Sequence, residues 1–201
     1  MKQLRALFVT WGSRINPWLL VWVIVGLNVH WLVTLQTFGT HFQQVAGYPL
    51  LDLQNDLLPA AMITPSEVQA QIATYTQHAK TLYWSFFTLD NIMPPLVFGP
   101  FALLWVYFLR SNPNPFYNRL LDRSFILIPL GVGFFDWLEN LAYIAAIHNS
   151  GGEHTMLIIY AGLTFKWIKA ACLLPTFGVT WLLAAYHLRS VARQRMMTHP
   201  A

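Results

Sequence analysis

Charge is what this chain has least of. Only 10% of its 201 residues are Asp, Glu, Lys or Arg, while 56% are hydrophobic. Water-soluble domains carry about 25% charged residues, so water is not the main solvent this sequence is written for. Cysteine is nearly absent as well. The single Cys172 excludes an intramolecular disulfide and any dithiol exchange chemistry, and its setting in an apolar run reads as a small buried residue. No His-x-x-x-His or Glu-x-x-His pair occurs, so no dedicated metal site is expected. His30 and His187 fall near opposite ends of their apolar runs and cannot share a haem. Nucleophile elbow, phosphate loop and dinucleotide fingerprint are all missing. No cofactor is expected. The pI near 9.4 invites a nucleic-acid partner, but the basic residues form no single patch, and none is expected.

What is present is a series of long apolar runs. The first extends over about 17–35, opened by Asn16-Pro17, a helix-capping residue followed by proline at the first helical position. It is too long for a secretory h-region and no small-x-small cleavage site follows it, so it reads as an uncleaved span. The stretch 37–83 reads as an outer segment. Gly39, Gly47, Pro49 and Pro59 mark a loop from Thr37 to Ile63, and Thr64-Pro65-Ser66-Glu67 is a capping box that opens an amphipathic helix with Val68, Ile72, Ala79 and Leu82. A second span covers about 84–109 and carries Asp90-Asn91 and Pro94-Pro95. The double proline must break or kink it, and the carbonyls so released need partners. Arg110 to Arg123 reads as a short polar loop, with Asp122 or Ser124 capping a third span over about 125–147. After a turn at His148–His154, a fourth span runs over about 155–187, and the basic tail beyond it reads as frayed. The expected fold is an all-α, four-helix transmembrane bundle forming a single domain, 1–201, with an amphipathic helix in the first outer loop.

Orientation follows from lysine and arginine. Lys2, Arg5 and Arg14 precede span one. Arg110, Arg119 and Arg123 separate spans two and three, and Arg189, Arg193 and Arg195 follow span four. The opposite side holds only Lys80, with Asp52, Asp56, Glu67 and Glu153. By the positive-inside rule both termini are cytoplasmic, in the inner (plasma) membrane of a cell.

Against this background Phe135-Asp136-Trp137-Leu138-Glu139-Asn140 stands out. Asp136, Glu139 and Asn140 are spaced i, i+3 and i+4 and share one helix face, inside a run where ionisable groups are costly. At about 1.5 Å per residue, Asn28, Asp90, Glu139, Asp136 and Lys166 lie ~10, ~9, ~12, ~16 and ~16 Å in from the outer ends of their spans, and Lys169 ~21 Å. Polar groups from all four spans thus fall in overlapping layers. Asp90, Asp136 and Glu139 are three acids against two bases, Lys166 and Lys169. The acid left over takes a proton, a bound cation or a cationic ligand.

The order of these stretches resembles a group of uncharacterised bacterial four-span inner-membrane proteins. The residues that carry the likeness are Leu51 to Gln54, Leu89 to Pro95, Asp136 to Asn140 (Asp-x-x-Glu-Asn in the third span) and Thr164 to Trp167. The resemblance implies the four-span fold and points to the same polar positions; it implies no activity. The sequence reading is a buried acid/base cluster in the outer half of the bilayer that binds a small amphipathic or lipid-like ligand. If the chain is an enzyme, Asp136, Glu139 and Lys166 are the catalytic candidates. Asp90, Asn91, Asn140, Asn28, Tyr143 and Lys169 are the ligand-binding candidates. One alternative is a non-enzymatic accessory or assembly subunit, with a membrane-protein partner or a second copy of the chain as its neighbour. The other is a proton- or ion-coupled transporter. Membrane lipids are the surrounding partner in each case.

Overall fold

In the computed structural model the described residues are 2–12, 14–51, 63–112 and 114–198. Asp52, Leu53, Gln54 and Asp56 of the outer loop lie outside them. Among the described residues there is no strand, and four helical stretches are long and apolar enough to cross a membrane.

Helix α1 (Lys2–Gly12) packs on the later helix α5 (Met93–Arg110). Gly12 permits the contact, since a Cβ there would stand 2.7 Å from Val106 Cγ1 and 3.1 Å from the Leu103 carbonyl. Helix α2 (Pro17–Ala46) starts as the sequence suggests, with the Asn16 side chain accepting the Trp18 N–H at 2.9 Å. It does not stop near Leu35. The expected loop from Thr37 is helical for ten more residues. Gly39 is buried within the helix, Phe42 is fully buried, and Thr34, Thr37 and Thr40 satisfy their hydroxyls on the carbonyls one turn back. The true stop is Gly47, at φ 75° with its N–H on the Gln43 carbonyl, where glycine takes the left-handed cap without penalty.

The capping box is present. The Thr64 N–H and hydroxyl both donate to Glu67 Oε2 at 2.7 Å, and Thr64 Oγ1 accepts the Glu67 N–H at 3.3 Å. The single amphipathic helix expected there is instead two pieces, α3 (Pro65–Ala73) and α4 (Gln77–Asp90). The second is capped by Thr76, whose Oγ1 accepts the Ala79 N–H at 3.2 Å. The double-proline break falls at Asn91–Ile92, and α5 (Met93–Arg110) begins with both prolines in its first turn, where their missing N–H groups cost nothing.

The predicted polar loop 110–123 contains a short helix, α6 (Pro115–Asp122), capped by Asn114. That rearranges the entry to α7 (Leu127–His148). No side chain caps it, so neither Asp122 nor Ser124 has the expected role. Ser124 turns the chain at φ 61° instead. Helix α8 (Thr155–Thr198) continues well beyond His187, so the tail through Thr198 is helical rather than frayed.

Apolar packing is divided into two clusters, one toward each end of the bundle. The upper one gathers Phe42, Leu50, Leu51, Val68, Ile72, Tyr83, Phe86, Tyr143, Ile147 and Ile159, so that the outer segment is packed onto α7 and α8. The lower one gathers Ile24, Val97, Phe101, Trp105, Leu109, Ile126 and Leu183. The polar residues of the spans lie between them.

Candidate functional site

Helix α7 supplies Asp136, Glu139 and Asn140 from one face, as their spacing requires. Helix α8 answers with Lys166 and Lys169, spaced i and i+3. Lys169 Nζ is 2.9 Å from Asp136 Oδ1 and 2.6 Å from Glu139 Oε2. Lys166 Nζ is 3.6 Å from Glu139 Oε1. Glu139 is thus held between two ammonium groups, at 0% exposure, with Lys166 at 1%. Asp136 and Lys169 keep 14% and 15%. The remaining acid, Asp90, is the last residue of α4, and Asn140 Nδ2 donates to its Oδ2. A buried ionic network is tolerable only when its charges are paired and hydrogen-bonded, and this one spans α4, α7 and α8.

The α4–α5 break adjoins the network. The Asn91 carbonyl, released where the helix ends, accepts the Trp137 indole N–H at 2.8 Å. The Phe87 carbonyl accepts both the backbone N–H of Asn91, at 3.0 Å, and its side-chain amide, at 2.7 Å. The partners that released carbonyls require come from protein groups.

Toward the upper end the network is covered. Lys166 Nζ donates to the Leu51 carbonyl at 3.0 Å, and Leu50 and Leu51 are fully buried. Gln71 Nε2 pins the same segment, donating to the Pro49 carbonyl at 2.9 Å and to Tyr75 Oη at 2.7 Å. Burial pushes the Tyr75 phenol far above its ordinary range, more strongly than the Gln71 hydrogen bond lowers it.

Beside the network lies a cavity of about 200 Å³. Asn28 and Trp31 of α2, Asp90 of α4, Met93, Pro94, Val97 and Phe98 of α5, Val132 and Asp136 of α7, and Lys166, Lys169, Ala170 and Leu173 of α8 line it. Of the candidates read from sequence, the structure brings Asn28, Asp90, Asp136, Lys166 and Lys169 to this wall. Glu139 and Asn140 stand one layer behind it, bonded to wall residues. Asn91 serves the helix break. Tyr143 belongs to the upper apolar cluster, where Gly162 is close enough that a Cβ would meet its ring at 3.1 Å.

Two participants are not among the site candidates that the sequence offers, Trp31 reading there as an aromatic residue of the membrane interface. Trp31 follows Asn28 by one helical turn, a spacing that could have been used. The Leu51 carbonyl is a backbone group and leaves no mark in the sequence. Among the described residues no group of three or more His, Cys, Asp and Glu side chains could hold a metal ion. Comparison with protein-family models, with curated proteins and with solved structures gives no match.

Proposed function

We propose that the chain is an integral membrane protein of the inner membrane, termini cytoplasmic, whose charged cavity binds a small amphipathic or lipid-like molecule. The observation that carries this reading is the cavity itself. It has ionic groups on one part of its wall and Pro94, Val97, Phe98 and Leu173 on another. A self-satisfied network that merely fixes helix register needs no adjoining space. Ligand sites combine an apolar lining with a few placed polar groups, and ionisable groups at membrane depth mark functional sites by default.

The packing favours entry from the side. Among the described residues α2 packs mainly on α5 and α4, and α8 mainly on α7. The route between α2 and α8, which both line the cavity and pack mainly on other helices, is the side entry, while Leu50 and Leu51 close the upper approach. In a bilayer that route opens to lipid.

The test is native mass spectrometry of the full chain released from mild detergent. A retained small molecule, lost in Glu139→Gln and Asp136→Asn while the variants stay monodisperse, is the expected result. An empty monomer that loses only thermal stability on the same substitutions would reject the cavity as a binding site. A stoichiometric second polypeptide would favour the accessory-subunit reading instead.

A further inference from the structure

We propose that a second site, at the lower end of the bundle, holds an anionic phospholipid. The proposal rests on the membrane-spanning part of the reading above and not on ligand binding in the charged cavity.

The site is a groove of about 730 Å³ between α2, α5 and α8. Trp18 and Val21 line it from α2, Tyr107 and Phe108 from α5, and Trp181 and Leu188 from α8. Its volume falls within the roughly 300–1,000 Å³ of small-molecule sites. His187 also lines it and packs on both α5 rings, with centroids 5.3 Å from Tyr107 and 5.5 Å from Phe108. Trp18, Trp181 and Leu188 are 62%, 76% and 55% exposed, so the three helices leave this apolar surface uncovered.

The position and length of the groove decide what fills it. Pro17 opens one candidate span, and Arg110 and Val191 close two others, so the lower mouth lies at headgroup level. From Val191 up to Trp181 the lining follows α8 for ~15 Å, at about 1.5 Å per residue. That is the depth of one leaflet, half of a hydrocarbon core about 30 Å thick. A membrane helix of another protein crosses the full core with about 20 residues and would meet the groove over only half its length. An acyl chain of the lower leaflet matches it from end to end.

Charge assigns the headgroup. The lower end has a single acid, Asp122, against Arg14, Arg110, Arg119, Arg123 and Arg189. Arg14 stands in the turn that leads into Pro17, and Arg110 is one helical turn beyond Tyr107 on the same side of α5. Both are exposed, and neither forms an ion pair among the described residues. Guanidinium groups suit phosphate, which they bind through paired N–H donors. A zwitterionic headgroup brings its own cation to this basic rim and gains less. Tyr107 and the two tryptophans suit the same level, because amphipathic rings settle between headgroups and chains.

The test is native mass spectrometry of the full chain in mild detergent, titrated with phosphatidylglycerol and phosphatidylcholine of identical acyl chains. The first phosphatidylglycerol is expected to bind about 25-fold tighter than the first phosphatidylcholine, from about fivefold for each of Arg14 and Arg110. Arg14→Gln with Arg110→Gln should bring the two lipids within about threefold of each other. Trp181→Ala with Leu188→Ala, both at exposed positions, should weaken both lipids about tenfold by removing chain contact. Glu139→Gln should change neither. Equal affinity of the two lipids for the unaltered chain would overturn the anionic assignment. Unchanged binding in the Trp181 and Leu188 variant would overturn the groove. Loss of the first lipid in Glu139→Gln would move it to the charged cavity, overturning this site while leaving the reading above standing. A stoichiometric dimer abolished by Trp181→Ala with Leu188→Ala would give the groove to a second copy and overturn the lipid assignment.

Discussion

Lys166 is the residue whose surroundings say most about the network. It is 1% exposed on a helix otherwise rich in surface-facing apolar side chains, and it bonds a carboxylate of α7 and a backbone carbonyl of the upper cap. Removing one partner of a buried pair leaves the other charge uncompensated, at a cost of about 3–5 kcal/mol. Lys166→Met should therefore lower the thermal stability of the purified protein strongly. Because Glu139 keeps Lys169 as a second partner, the loss should fall at the lower end of that range. Adding Glu139→Gln lowers the excess of acids over bases that Lys166→Met creates, and should recover part of the loss while Lys169 keeps Asp136 as its partner. A double variant no more stable than Lys166→Met alone would show that the loss does not come from the excess acid left beside Glu139. At this scale the clustering of the polar residues is legible in the sequence. Ionisable side chains in apolar runs are costly enough to advertise themselves, and helix rise places them at similar depth. Which of them meet was not legible. Tyr143 shares a face with Glu139 but packs upward, and Asn140 turns to Asp90, because neighbouring helices, not spacing, choose the partner.

Helix starts are legible where a capping residue is followed by proline, and helix stops are not legible from glycine alone. Asn16 and Thr64 both cap as their sequence signatures require. Gly39 suggests a loop by residue type but is helical, because bulky neighbours such as Phe38 and Phe42 dock on Phe86 and Tyr83 and hold the turn. The break at Asn91–Ile92 was legible because proline forbids the continuous ladder. Helix α6 opens on Asn114-Pro115, the same cap-and-proline signature as Asn16-Pro17, so its start is legible in the sequence, whereas the left-handed Ser124 has no local signal.

The Thr64–Glu67 box gives this scale its own prediction. The Thr64 hydroxyl, then its backbone N–H, hold the Glu67 carboxyl below its ordinary value of 4.5. A depressed carboxyl contributes stability above the unfolded value, and that contribution is lost as pH falls through the folded one. Thr64→Ala should cost about 1 kcal/mol at neutral pH, and the difference from wild type should shrink below about pH 4. Melting curves of both proteins from neutral to acid pH check this. A difference that stays constant across the series would mean the cap works through the hydroxyl alone, without the carboxylate.

For the molecule as a whole, orientation in the membrane and helix packing meet in one measurement. Four long helices return both ends of the chain to the lower end of the bundle, where α1 leans on α5 and α8 finishes. Arg14, Arg110, Arg119, Arg123 and Arg189 belong to that end, while Lys80 belongs to the other. The proposed orientation, by the positive-inside rule, has the lower end in the cytoplasm and the cap formed by α3 and the start of α4 outside. Cys172 is the sole thiol, so a Cys172→Ala background gives a chain with none. In that background His78→Cys and Arg189→Cys, both at exposed positions, report opposite ends. A membrane-impermeant maleimide added to intact cells should label His78→Cys at once and Arg189→Cys only after permeabilisation. The reverse pattern would invert the orientation and turn the covered face of the network toward the cytoplasm. Labelling of both from outside would mean that the four helices do not cross the bilayer as a bundle, and the side entry between α2 and α8 would lose its physical basis.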